Sequence, residues 1–552
     1  MIGLMTKSKD KKDRELRSVR DTVESVWVAV VLAFVLRAFM IEAFVIPTGS
    51  MAPRLLGEHW QLVCPACGYD FSYGLPRKSQ TNGSLDRRQK HPPAGAVCPN
   101  CNCQYPATRL PSLVRGGDRV LVMKYLYRIA EPEPWDVVVF RNPQNNRENY
   151  IKRLIGLPGE TIEIVHGDVF VDDGNGKWQI RRKPASAQEA MWQVIYDNDY
   201  PPDFAEFRDL NRSGQTVPQW LATSDRWDLS CQDGRRFRFS GGAQADVFFQ
   251  SGSKLFLPHY GYNRPGVENQ GIDAQKDICS DLKLSVAYFP ESSNSAVGLS
   301  LTSFEDSFKA SLSADGTIQL WHSRRDESDD GWQLWGKKRV PALRPGRAYP
   351  LAITHADFRV GVWLDGELVL SSSDEQYSAD HTKLRNRMHG IAEMPIPLPE
   401  VRISAEFGSC ELRHVRLHRD VYYTSPLIKQ MGSGPLWDFA EELKVRRNSP
   451  GWGTTDNPIK LAKYEDKPEL DQFFMLGDNS PQSLDGRGWV RASPTLRLRD
   501  GLTGEITYQL GTVPRYALIG KAFFVYWPAG FGVPALPGLP IVPNVGRMRL
   551  IR

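Results

Sequence analysis

A chain of 552 residues is several times the usual domain length, so more than one compact unit is expected. With 24% charged and 41% apolar residues the composition is globular rather than disordered, and a mean hydropathy of −0.40 excludes a multi-span transporter. Lys and Arg number 69 against 64 Asp and Glu, a net charge of +5 not gathered into a basic stripe, so no nucleic-acid partner is expected.

The N-terminus carries seven Lys or Arg up to Arg20 and then turns apolar. From Ser25 to Ile46 only Arg37 and Glu42 are charged, which predicts one transmembrane helix over 25–46 behind a basic tail, 1–24. Positive charge lies before this segment and only Arg54 lies between Ile46 and Cys67. The bias puts the N-terminus in the cytoplasm and the body outside a cytoplasmic membrane crossed once, with lipid as a partner.

The stretch Ile46-Pro47-Thr48-Gly49-Ser50-Met51 places a serine on a turn at the expected membrane surface. Five of the eight cysteines then cluster, as Cys64-Pro65-Ala66-Cys67 and Cys98-Pro99-Asn100-Cys101-Asn102-Cys103. Paired turns of this spacing aim four thiolates at one point, so Cys64, Cys67, Cys98 and Cys101 are the expected ligands of a structural zinc, with Cys103 an alternative to Cys101. Disulfides are the competing reading outside the cytoplasm.

Next come Gly117-Asp118-Arg119-Val120-Leu121-Val122-Met123-Lys124 and the strand-like Tyr150-Ile151-Lys152-Arg153-Leu154-Ile155. A hydroxyl needs a base to become a nucleophile, and no His-centred arrangement stands near Ser50. Lys152, among apolar neighbours, can take that role if desolvation keeps its amine neutral.

From about residue 183 to 425 the chain is rich in short alternating strands. Leu282 to Phe289 alternates throughout, and the stretches 312–321 and 360–370 read as hairpins about Asp315-Gly316 and Asp365-Gly366. A β-sandwich is expected, similar in pattern to concanavalin-like or laminin-G-like jelly rolls, with an unidentified ligand or none; no carboxylate calcium loop is evident. A polar, Pro/Gly-punctuated loop follows, and then Leu476-Gly477-Asp478-Asn479-Ser480-Pro481-Gln482-Ser483-Leu484-Asp485-Gly486-Arg487. The apolar run from Pro528 is broken by prolines and cannot form a second span.

These strings, in this order behind one anchor, resemble the bacterial type I signal peptidases. The resemblance implies a membrane-bound serine endopeptidase that removes signal peptides from exported preproteins, its substrates, without a catalytic cofactor. It implies Ser50 as nucleophile and Lys152 as general base, with Ser483 orienting the lysine. The Ser50 N–H and the Thr48 hydroxyl would form the oxyanion hole, and Asp485 with Arg487 and Asp478 with Arg153 would be supporting ion pairs. Three positions depart from the family pattern: Thr48 where serine is commoner, Gly486 where serine is usual, and Glu58 in place of aspartate.

The implied fold class is mainly β: a signal-peptidase core behind one helix, a zinc-ribbon-like insert and a β-sandwich insert. The core takes 47–58, 116–182 and 469–528, and the Cys-rich insert 59–115. The sandwich takes 183–425, a connecting loop 426–468 and a tail 529–552. Since the matching strings lie outside 183–425, the sandwich is expected to be separable. The rival readings are a Ser/Lys protease with one dedicated or self substrate and a membrane-tethered binding protein with a relic peptidase core.

Overall fold

A computed structural model describes residues 22–32, 34, 40–75, 95–111, 114–210, 217–250, 256–263, 276–325, 331–390, 396–424, 450–493, 496, 508–530 and 544–552. The chain is mainly β, as its alternating apolar pattern dictates.

The sheet that carries the catalytic candidates is antiparallel throughout. Its strands are β1 (Ile41–Val45), β2 (Arg119–Met123), β3 (Val137–Arg141), β4 (Asn149–Gly156), β5 (Gln472–Leu476), β6 (Thr512–Pro514) and β7 (Leu518–Trp527). They lie side by side in the order β1-β2-β7-β3-β4-β5-β6. Period-2 side chains give this sheet two apolar faces. Val137, Val139 and Ile151 pack with Val120, Val122, Met51 and Leu55, while Val138, Phe140 and Leu154 pack with Phe473, Met475 and Trp489.

Three expectations change at the margins of this sheet. Residues 22–32 are helical and exposed, but Ile41–Val45 is strand, paired with β2 from Ile41 opposite Met123 to Val45 opposite Arg119. The helix expected over 25–46 therefore does not reach Ile46, and among the described residues no helix is long and apolar enough to cross a membrane. Glu42 does not snorkel, because on the strand it meets Lys124 at 3.2 Å. Residues 33 and 35–39 of the expected span, and the basic tail to residue 21, lie outside the described residues.

The expected tail is partly core: Arg549–Leu550 adds to β7, and the Arg552 carbonyl accepts a bond from Arg153 at 3.3 Å. Within the expected connecting loop, Ile459–Lys460 pairs with Thr161–Val165 in a small sheet completed by Asp168–Asp172 and Gln179–Ile180; residues 425–449 lie outside the described residues.

The large insertion forms two antiparallel sheets, of eight and seven strands, that share one apolar cluster. The strand Leu282–Pro290 and both Asp-Gly hairpins are observed. Asp365 and Gly366 both have positive φ, 52° and 81°, the two-residue turn whose twist matches its flanking strands. One departure matters for the site: residues 256–263 leave the sheets and pack against the loop that holds Ser50.

Candidate active site

Ser50 sits in a single 3₁₀ turn, Gly49–Met51, closed by Ala52 N–H donating to the Gly49 carbonyl at 3.0 Å. Met51 is fully buried, which anchors the turn in the core and fixes the direction of its neighbour. Lys152 is on β4 opposite Val138, on the face it shares with Tyr150 and Leu154. Its Nζ lies 5.3 Å from the Tyr150 ring centroid.

The two side chains meet. Lys152 Nζ is 2.5 Å from Ser50 Oγ, and Lys152 also donates to the Ile151 carbonyl at 3.2 Å. Ser50 is 8% exposed and Lys152 3%, so the pair is shielded from bulk water. The arrangement offers a hydroxyl for nucleophilic attack and an amine placed to take its proton. Thr48 precedes the turn in extended conformation, exposed, with no bond from its side chain to the turn. The first N–H groups of such a turn have no acceptor within it, which leaves the Ser50 amide available as a donor.

The GDN string clamps this loop from below. Asn479 N–H donates to the Ser50 carbonyl at 3.0 Å and Asn479 Nδ2 to the Gly49 carbonyl at 2.9 Å. Gly477 leaves room for the contact, since a Cβ there would lie 2.5 Å from the Ser50 carbonyl oxygen and 2.2 Å from Ser483 Oγ. Asp478 and the fully buried Arg153 form a two-pronged pair, both contacts at 2.7 Å. Burial pulls the Arg153 guanidinium down, but the Asp478 carboxylate more than reverses this and leaves it above its ordinary value.

Asp485 pairs with Arg487 at 2.7 Å and accepts the Gly477 N–H at 3.0 Å, and Arg487 ties the string to the Thr424 carbonyl at 2.6 Å. Both expected ion pairs are present. The expected bond from Ser483 to Lys152 is not found among the described residues: Ser483 Oγ is buried beside Gly477, on the side of Asp485.

Four supports escaped the sequence reading. Asn263 exchanges amide bonds with Asn479 at 2.8 and 2.6 Å, and Tyr260 donates to the Asp478 carbonyl at 3.0 Å. Tyr262 covers Gly49 so closely that a Cβ there would fall 2.0 Å from its ring, and its hydroxyl donates to the Glu58 carbonyl at 3.1 Å. Asn479 stood within a quoted string without an assigned role. The other three come from the large insertion, where no alternation or spacing marks them.

Gly486 has a plain reason to depart from serine. A Cβ would meet the Gly511 carbonyl oxygen at 2.6 Å and the Phe474 ring at 2.7 Å.

The cysteines assemble apart from this site. The Sγ atoms of Cys64, Cys67, Cys98 and Cys101 lie within 4.8 Å of one another, with Cys64 to Cys101 at 3.5 Å and Cys67 to Cys98 at 3.7 Å. All are free thiols rather than disulfides. Ligands about 2.3 Å from a tetrahedral zinc would be about 3.8 Å apart, so the quartet fits that ion. Cys103 is not one of these four, but its thiol adjoins Cys64 and Cys101, with Sγ 3.7 Å from the Gln104 carbonyl. Gly68 (φ 74°) and Asn102 (φ 60°) close the two knuckles, their N–H groups donating to the Cys64 and Cys98 carbonyls at 2.8 and 2.9 Å.

A buried hydroxyl held against a lysine amine, with no histidine bonded to either among the described residues, is the arrangement that a serine–lysine hydrolase would require. Residues 108–235 match the family model described as signal peptidase, peptidase S26, a range that contains Lys152 but neither Ser50 nor the GDN string. Curated relatives named signal peptidase I include those of Rickettsia bellii (28% identical, 26% of this chain and 36% of the relative), Rickettsia typhi (29%, 28% and 45%) and Pseudomonas fluorescens (30%, 24% and 30%). Both findings support the recognition of a bacterial type I signal peptidase, while the chain spans less than half the length of these relatives. Among solved structures, a carbohydrate-binding module from Bacillus subtilis is similar at 10% identity over 36% of this chain and 94% of its own, with a TM-score of 0.23.

Proposed function

We propose that the chain is a membrane-tethered serine endopeptidase that removes N-terminal signal peptides from exported preproteins with a Ser50/Lys152 dyad. The observation that carries this reading is the 2.5 Å contact of Lys152 Nζ with Ser50 Oγ, two residues 102 positions apart. Neutral Lys152 takes the Ser50 proton as Oγ attacks the scissile carbonyl, then returns it to the leaving amine. Water, activated by the same amine, releases the acyl group. The Ser50 N–H and the Thr48 hydroxyl stabilise the oxyanion. Lys152 must be neutral at working pH, and its burial favours that form.

Ser483, whose Oγ lies beside Gly477, is read as the residue that orients the lysine when substrate is bound. The exposed Val26, Trp27, Val28 and Val31 on helix 22–32 support a lipid-facing tether ahead of β1, with the basic tail in the cytoplasm and the body outside. Cys64, Cys67, Cys98 and Cys101 would hold one structural zinc, a closed site without a catalytic position. The two-sheet insertion is read as a β-sandwich module.

Incubating the detergent-solubilised protein with a model preprotein and mapping the new N-terminus tests the activity. Ser50→Ala and Lys152→Ala should each abolish cleavage with the fold intact, and the double variant should be no worse, because groups acting as one unit are not additive. Substantial cleavage by either single variant removes the dyad.

A further inference from the structure

Remote from the Ser50 turn in sequence, three carboxylates converge where the small sheet meets the insertion. Asp168 opens the second strand of the small sheet, Asp281 immediately precedes the strand Leu282–Pro290, and Asp357 lies between the strands Tyr349–Ala356 and Arg359–Leu364. One oxygen from each lies within 4.8 Å of the others, the greatest separation for two ligands about 2.4 Å from a shared ion.

Among the described residues, Lys183 and His355 are the cationic side chains paired with this cluster. Lys183 Nζ bridges Asp357 at 2.5 Å and Asp420 at 2.9 Å, and His355 Nδ1 meets Asp281 at 2.9 Å. Four carboxyl groups therefore face one ammonium and one imidazole, more acids than cationic partners among the described residues. Unpaired charge in a buried setting is costly, and a divalent ion would offset it. The Asp168 carboxylate makes no hydrogen bond or ion pair with a described residue, whereas Asp281 accepts the Asp357 N–H at 2.8 Å and Asp357 the Lys183 N–H at 2.9 Å. Two of the three are thus pre-oriented by backbone, with Asp168 left to complete the set.

A second observation is independent of the acids. A cavity beside them is lined by His166, Asp168, Ser280, Asp281 and Tyr422. His166 is 5% exposed, and its Nε2 has no hydrogen-bond partner among the described residues. A buried ring nitrogen without a partner calls for one, and a water held on an ion in this cavity would supply it.

We propose that Asp168, Asp281 and Asp357 bind a hard divalent cation, of which calcium is the first choice, with His166 bonding a water of its shell. Oxygen ligands alone favour such an ion over the softer metal suited to the cysteine quartet. Its role is to fasten the insertion to the small sheet, since Asp168 belongs to one and Asp281 and Asp357 to the other.

The test uses the full chain in detergent, treated with EGTA and desalted, its zinc content measured before and after. Calorimetric titration with CaCl2 should show one Ca2+ per chain, and saturating Ca2+ should raise Tm by about 5 °C. Asp168→Asn, which removes no side-chain bond to a described residue, should keep the Tm of the EGTA-treated protein while losing the Ca2+ response and at least tenfold in affinity. MgCl2 is titrated in parallel, and binding of it at the same residues also supports a hard-cation site. Absence of binding and of any Tm shift with both ions, or unchanged Ca2+ affinity in Asp168→Asn, overturns the proposal. None of these readouts depends on peptide cleavage.

Discussion

At Thr48 the proposed chemistry depends on one hydroxyl rather than on the β-methyl beside it. Thr48→Ser keeps the donor and should retain most activity. Thr48→Val keeps the shape and should lower kcat by about 10² to 10³ with little change in KM, since the bond forms chiefly to the developing oxyanion. The exposed side chain makes no capping bond to its turn, so valine has little local bonding to disrupt. Similar kcat values for the two variants would remove Thr48 from the oxyanion hole. Ser50 and Lys152 were legible through the ordered strings that carry the resemblance, since a serine on a turn and a lysine on a strand are each unremarkable alone. Asn263 was not, because its partner Asn479 is 216 positions away and nothing near it in sequence encodes that meeting.

Elements explain why the span was misjudged at its end. Ile41, Glu42, Ala43, Phe44 and Val45 read as the last turns of an apolar helix, yet only β2 can supply their partners, and hydropathy does not distinguish the two. The cysteine knuckles show the opposite case, since their local turns were fully written in the spacing. Purified protein should contain about one zinc per chain, and replacing Cys64 or Cys98 should remove it, whereas Cys103→Ser should retain it. Metal analysis decides, and loss of metal in Cys103→Ser would contradict the observed quartet.

The GDN string carries its own pH signature. Burial pushes the Asp485 carboxyl up, but Arg487 and the Gly477 N–H more than reverse this and hold it below the ordinary range. Stability from this pair is therefore complete above the unfolded value of about 3.9 and is lost as pH falls through the lower folded value. Asp485→Asn, which strands a buried guanidinium, should cost about 3 to 5 kcal/mol at neutral pH and flatten part of the decline below about pH 4. An equally steep acid decline in the variant would show that other carboxylates govern it.

For the whole molecule the decisive question is whether the large insertion is a passenger. Its position between two strings suggested a module that could be cut out, joining the chain near Lys183 to Leu470. The structure argues otherwise, because excision would remove Tyr260, Tyr262 and Asn263, which hold the Asp478 carbonyl, the Gly49 turn and the Asn479 amide. It would also strip Lys183 of Asp357 and Asp420, leaving an ammonium in a site built for a bridge. Inactivity of the excised chain alone could reflect misfolding, so the sharper test is a graded pair at Tyr262. Tyr262→Phe removes the hydroxyl and its bond to the Glu58 carbonyl but keeps the ring over Gly49, and should stay close to wild type. Tyr262→Ala opens space directly over Gly49 and should cost about 3 to 5 kcal/mol of stability, by analogy with other buried aromatic deletions. With the turn loosened, the Ser50 hydroxyl is no longer held at the lysine, and displacement of a reacting group by about 1 Å costs roughly 10²-fold in rate. The variant's kcat, measured well below its own Tm, should therefore fall while KM changes less. Wild-type turnover in a folded Tyr262→Ala protein would return the insertion to the status of a separable module.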